Sequence, residues 1–255
     1  TFVAFTDAGT GTHTVAIQSP YFGTPLAWVA CDDTGTTGLG MQHGGNVSPS
    51  VKHLSKFRVN SIQTSGQIFG NSFMLFDLQG YYPGIDMASS STQTLTGSPS
   101  VRYSDGVRAC LMLTSTTGTG TPTITYTYTN QSSIGSRTPA YLPPTIASQA
   151  ATRPNHNGMF LPLASGDTGI TNVASIKLSS TQGSTGTAAL LLLKPLGCVV
   201  NCSNINNIPG ERDYIFQTRS MPIIKDGACL VVFNSQNNSS LTNQPFMFDI
   251  ETVWG

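Results

Sequence analysis

Only 9% of this 255-residue chain is charged, and its 12 basic and 12 acidic residues cancel, against roughly 25% charge in an average soluble domain. A neutral chain has no field to gather nucleic acid or an anionic membrane surface, and no run nears the roughly 20 apolar residues of a membrane helix. Aromatic residues at 9% without net charge argue against disorder, so we expect an ordered, loop-rich β protein with neither nucleic acid nor membrane among its partners.

From the amino end, residues 1–17 read as a hairpin: Phe2-Val3-Ala4-Phe5, a turn over residues 7–11, then Thr12 to Ile17 with alternating faces. The start has neither the basic end nor the long apolar segment of a signal peptide. A short strand anchored by Trp28 spans residues 26–30, and residues 32–46 form a long Gly-rich loop. Strands follow over residues 56–62 and 73–78, with a turn between them. Gly80-Tyr81-Tyr82-Pro83-Gly84 reads as an aromatic loop. Tyr81 and Tyr82 are candidate partner contacts there, able to stack on a sugar ring or insert into a partner.

A Ser/Thr-rich connection leads to residues 98–129, which have an echo in residues 220–251. Each copy holds a proline, a short β-type run, an Asp-Gly turn (Asp105-Gly106; Asp226-Gly227) and an Ala-Cys pair opening an apolar strand. Each then has a polar loop and an alternating closing strand. The spacing from Asp to closing aromatic is 126 − 105 = 21 in one copy and 246 − 226 = 20 in the other. Upstream the parallel continues: Pro162 leads to a strand at residues 173–178 as Pro49 leads to residues 59–62. The apolar run Ala188–Leu193, ended by Lys194-Pro195, matches the run at Phe73. Between the copies, residues 131–157 carry Pro139, Pro143, Pro144 and Pro154 and read as an extended linker. Helical spacing of apolar residues is absent. The expected fold is all-β: two tandem β-sandwich, jelly-roll-like domains related by internal duplication. They would span residues 1–131 and 158–255, with a Pro-rich linker at 132–157.

Chemistry is harder to find. No phosphate loop, His-Glu-x-x-His zinc motif or nucleophile elbow occurs. No catalytic residue, metal or cofactor is expected. The five cysteines do not read as a disulfide framework. Cys110 and Cys229 match between the copies as buried small hydrophobes. Cys198 and Cys202 leave a local disulfide open, and as a metal half-site they lack two further ligands. Asp32-Asp33 reads as solvated turn residues, because calcium-loop spacing is absent. His43 has no serine motif or carboxylate tied to it by spacing. Glu211-Arg212-Asp213 is a compact charge cluster in a neutral region, a candidate surface or subunit contact. Sequons at Asn46, Asn130, Asn201, Asn237 and Asn238 are expected by chance in a chain of this composition.

The chain resembles structural proteins of tailed-bacteriophage virions, in particular capsid decoration (cement) and neck- or tail-associated β-sandwich proteins. What carries the resemblance is the near-neutral Thr/Gly/Ser/Asn-rich composition and the repeated Asp105-Gly106-Val107-Arg108-Ala109-Cys110 and Asp226-Gly227-Ala228-Cys229. The closing run from Phe246-Met247-Phe248-Asp249 to Val253-Trp254-Gly255 adds to it. The resemblance implies a virion location after synthesis in host cytoplasm, and many copies as a homo-oligomer bound to the major capsid protein or other virion proteins. It also implies no cofactor and no turnover. The alternative expectation is a tail- or fibre-associated receptor- or glycan-binding protein. A hydrolase would need a carboxylate pair or a His-centred triad to converge in space.

Overall fold

Ile-Thr-Tyr-Thr-Tyr-Thr-Asn at 124–130 carries the strand signal in its plainest form. Aromatic and β-branched residues alternate, and the fold buries Ile124, Tyr126, Tyr128 and Asn130 while the threonines between them stay half-buried. A computed structural model describes residues 6–7, 13–14, 23–32, 41, 43, 45–61, 71–115, 120, 122–139, 159–183, 185–201, 210–218, 220–236 and 246–255. Among these, nearly all regular structure is β. The longer strands are β1 (Lys52–Ser61), β2 (Asn71–Asp86), β3 (Arg108–Leu113), β4 (Ile124–Asn130), β5 (Ile170–Leu178), β6 (Thr187–Asn201), β7 (Gly210–Asp213), β8 (Leu230–Gln236) and β9 (Phe246–Trp254). One π-helical turn, Tyr214–Thr218, is the only helix among the described residues. The expected N-terminal hairpin is present where it is described, with Thr6 opposite Thr14 and Asp7 opposite His13.

Two compact units form. The first holds Thr1–Gln18, Asp32–Leu78 and Pro195–Gly255, the second Ser19–Cys31 and Gln79–Lys194. In the first unit β1 is the central strand of an antiparallel sheet. β9 runs along one edge, and β7 and Ile223–Ile224 share the other. A second ladder pairs β8 with residues 71–77 of β2. Leu54, Phe57, Val59 and Phe248 of the first sheet meet Phe73, Leu75, Leu230 and Val232 of the second ladder in one core. Each such side chain contributes about 1.5–3 kcal/mol by leaving water.

The second unit also sets two ladders over one core. β5 pairs with β4 and with Gln93–Thr94, while β6 pairs with β3, which also takes Met159–Phe160. Tyr126, Tyr128, Val173 and Ile176 pack with Ala109, Leu111, Leu190 and Leu192. Buried tyrosines need partners for their hydroxyls. Tyr126 donates to the carbonyl of Pro162, and Tyr128 donates to Asp167 Oδ2 at 2.6 Å. The Asp167 side chain is only 3% exposed and also accepts from Arg137 Nε at 2.9 Å and Asn130 Nδ2 at 2.8 Å. The Arg137 bond first, then the Tyr128 and Asn130 bonds, hold its carboxyl down at about 2.

That depression fixes a pH dependence. Asp167's contribution is complete above the ordinary carboxylate value of about 4 and is lost as pH falls through about 2. Asp167→Asn should lower Tm at neutral pH. The gap between wild type and variant should close as pH drops from about 4 towards 2, followed by thermal unfolding in circular dichroism. A gap of constant size would sink this account of the residue.

The pairings share a register. Ala188 faces Leu113 and Phe73 faces Asn234. The Asp-Gly repeat sets Leu113 level with Asn234 (234 − 113 = 226 − 105 = 121), and their partners differ by 188 − 73 = 115. In the other ladders Tyr126 faces Ile176 and Phe246 faces Ser61, and those partners differ by 176 − 61 = 115 again. The two turn glycines match as well, Gly106 at φ 69° and Gly227 at φ 72°, the left-handed region that favours glycine.

The expected tandem boundaries are not where the units divide. β1 pairs with β9, β2 with β8, β3 with β6 and β4 with β5. Each of these ladders joins a strand before the 132–157 segment to one after it. The start of that segment is itself tied down, with Tyr128 and Arg137 exchanging backbone hydrogen bonds; residues 140–158 lie outside the described residues. Lys194-Pro195 does not end its strand either, since β6 runs on to Asn201. Proline's φ suits an extended chain and costs the ladder one donor only.

Candidate interaction surface

The surface is built on the alternation Lys56-Phe57-Arg58-Val59 in β1. Phe57 and Val59 face the core, so Lys56 and Arg58 face away from it. Pairing then brings acids to both sides. Glu211 of β7 and Asp249 of β9 flank Arg58, and Asp213 and Glu251 flank Lys56. Two rows result, each acid–base–acid across three strands. Arg58 places Nη2 2.7 Å and Nε 2.8 Å from Glu211 Oε2, and Nη1 3.4 Å from Asp249 Oδ2. Lys56 Nζ lies 3.6 Å from Glu251 and 3.9 Å from Glu211. The Glu211 hydrogen bond is the main cause raising the Arg58 guanidinium above its ordinary value. Both glutamates of the chain stand here, and four acids around two cations leave the face negative.

Large apolar side chains rim these rows. Asp213 Oδ1 accepts from the amides of Ile215 and Phe216 and so caps the π-helical turn. That turn leaves Phe216 85% exposed. On β9, Met247 and Val253, which alternate in step with Asp249 and Glu251, are exposed as well, by 50% and 38%. Exposed apolar groups among polar ones are the composition of a contact surface.

The sequence candidates divide accordingly. Glu211 and Asp213 are in the rows. Arg212 is exposed but sits opposite Phe57 in the register, outside the rows. Tyr81 and Tyr82 need correction: they lie in β2, 2% and 0% exposed, rather than in a loop. The reason is Gly80, where a Cβ would come 2.4 Å from both the Val29 carbonyl oxygen and the Trp28 ring. The missing side chain lets residues 28–30 close over the strand. Tyr82 then packs against Trp28 with ring centroids 5.1 Å apart and donates to Asn172 Oδ1 at 2.9 Å. Burial pushes both phenols up to about 12.

His43 is a structural group. Its Nδ1 accepts from Lys52 Nζ at 3.1 Å and its Nε2 donates to the Ala228 carbonyl at 3.0 Å. Lys52, 2% exposed, also donates to the carbonyls of His43 and Gly45. Both ring nitrogens thus hold backbone and lysine in place. Cys31, Cys110 and Cys229 are buried thiols and Cys198 is exposed, while Cys202 and Asp33 lie outside the described residues. Burial raises the Cys110 thiol. Asn130 is buried against Asp167, which closes that sequon to modification in the folded chain. Among the described residues no three His, Cys, Asp or Glu side chains are grouped to hold a metal ion, and no helix is long and apolar enough to cross a membrane.

No protein-family model matches the chain, nor does any curated protein or solved structure.

Proposed function

We propose that this chain is a non-enzymatic structural protein of a bacteriophage virion. It binds the capsid surface, or neighbouring subunits, as a multi-copy decoration (cement) component. The observation that carries this reading is the charged face of β7, β1 and β9 with Phe216, Met247 and Val253 around it. There charge and large exposed apolar side chains coincide. His43 and the two tyrosines read as candidates in the sequence, like Lys52 and Asp167, are engaged in holding the fold. A face of this composition suits association with a partner more than conversion of a small molecule.

The fold that goes with this reading is a pair of jelly-roll-like sandwiches born of an internal duplication, the two halves having exchanged strands. Support comes from the offset of 115 that two separate ladders share before the bulges of β5 and from the matched left-handed glycines. The alternative, a tail- or fibre-associated glycan binder, relied on an exposed Tyr81-Tyr82 loop, and their burial removes that support.

Electron microscopy of purified particles, with a tag on the chain, tests the assignment. Label over the capsid shell is the expected result. Label confined to the tail would favour the alternative, and particles without the chain would overturn both.

A further inference from the structure

We infer that copies of this chain associate head to tail, the acidic first unit of one copy against the basic second unit of the next. This rests on the multi-copy reading above and names the contact behind it. The neutrality of the whole chain conceals a separation. The first unit holds six Lys/Arg against nine Asp/Glu, a net charge of −3. The second holds six against three, a net charge of +3. In a chain only 9% charged, that division sets which surfaces attract.

Internal pairing sharpens it. In the second unit Arg137 is matched by Asp167 and Lys194 by Asp105. Lys177 stands exposed on β5, facing Thr125 across the ladder. In the first unit the four acids of the β7–β1–β9 face outnumber Lys56 and Arg58. First unit against first unit sets −3 against −3, and second against second sets +3 against +3. Only the unlike contact is favoured over the whole surface.

The symmetric alternative fails locally too. β9 pairs only with β1 among the described residues, so its outer edge could add a second copy's β9. Antiparallel pairing centred on Ile250 would set Asp249 against the other copy's Glu251, and like charges directly opposite are destabilising. Edge acids of this kind guard a strand against self-pairing. A head-to-tail contact leaves one acidic and one basic unit free at the ends, so it continues until it closes a ring or grows a filament. Phe216 and Met247, beside the acidic rows, supply the apolar part of the contact.

Sedimentation velocity on the full chain tests this with two variants, Asp249→Lys/Glu251→Lys and Lys177→Glu, each first checked for native circular dichroism. Wild type should associate at low salt and dissociate as salt rises, since screening shrinks the reach of charge from about 30 Å at 0.01 M to about 3 Å at 1 M. Each variant alone should associate about tenfold or more weakly. An equimolar mixture of the two should recover association as pairs, because the unaltered first unit of the Lys177→Glu chain, at −3, then meets the unaltered second unit of the other variant, at +3, while the two altered units are both at +1. If the double variant loses its fold, Asp249→Asn/Glu251→Gln takes its place and should weaken association alone, with the wild-type salt dependence as the second test.

A wild type that stays monomeric at low salt, a mixture no stronger than its components, or Lys177→Glu without effect overturns the inference. Association driven by another virion protein's basic surface would appear as a monomer in solution that is found on particles, sinking this contact and leaving the proposed function intact. Association in solution by a chain missing from particles would do the reverse.

Discussion

Residues 1–131 and residues 158–255, produced as separate chains, should each remain unfolded and should fold when mixed. Cutting between them parts β1 from β9, β2 from β8, β3 from β6 and β4 from β5. Neither fragment keeps a principal ladder, so neither can bury the faces of its strands. The repeat offers one escape: inside the first fragment β4 could take the place of β9 beside β1. The shared register would then put Tyr128 where Phe248 belongs. Its hydroxyl would enter the core without Asp167 or the Ala164 amide, which lie on the other fragment. An unsatisfied buried hydroxyl costs about 1–3 kcal/mol, a large share of the stability of a small domain. Near-UV circular dichroism and amide chemical-shift dispersion of each fragment, alone and mixed, read the outcome. Cooperative unfolding of either fragment alone would show that the halves are self-sufficient and that the exchange is not needed for folding.

How much of this was legible in the sequence differs from residue to residue. Alternation in 124–130, the apolar run at 188–193 and the two Asp-Gly turns are local signals, and each lies where its pattern puts it. Partner choice is not local. Under the duplication proposed above, every strand has two equivalent partners, β4 or β9 for β1, and only whole-core packing distinguishes Tyr128 from Phe248. Gly80-Tyr81-Tyr82-Pro83-Gly84 has the residues of a turn, yet the glycine serves a close approach by Trp28 from more than fifty positions away. The interaction face was half visible. Glu211-Arg212-Asp213 is a cluster in sequence, while Lys56, Arg58, Asp249 and Glu251 are single charges alternating with apolar residues. Their common feature, period-two charge in a charge-poor chain, marks an outer sheet face once two such strands pair.

Phe248→Ala should cost about 3–5 kcal/mol of stability, seen as a lower midpoint in guanidinium unfolding with an unchanged slope. Phe248 lies between Phe57, 6.5 Å away between ring centroids, and Phe73, 5.6 Å away. Both neighbours are fully buried, so removing the ring leaves a cavity in the core of the first unit. Phe216→Ala, at an 85% exposed site, is the control and should stay within about 0.5 kcal/mol of wild type. A loss below about 1 kcal/mol for Phe248→Ala would mean that the ring does not hold the first unit together. The position of Phe248 allows a sharper test. It belongs to the second half of the chain, while Phe57 and Phe73 belong to the first. The same substitution in the 158–255 fragment should therefore weaken its binding to 1–131 by the same free energy, roughly a hundredfold to several thousandfold in Kd. In two self-contained tandem domains, that substitution would unfold one fragment and leave the affinity between the two unchanged.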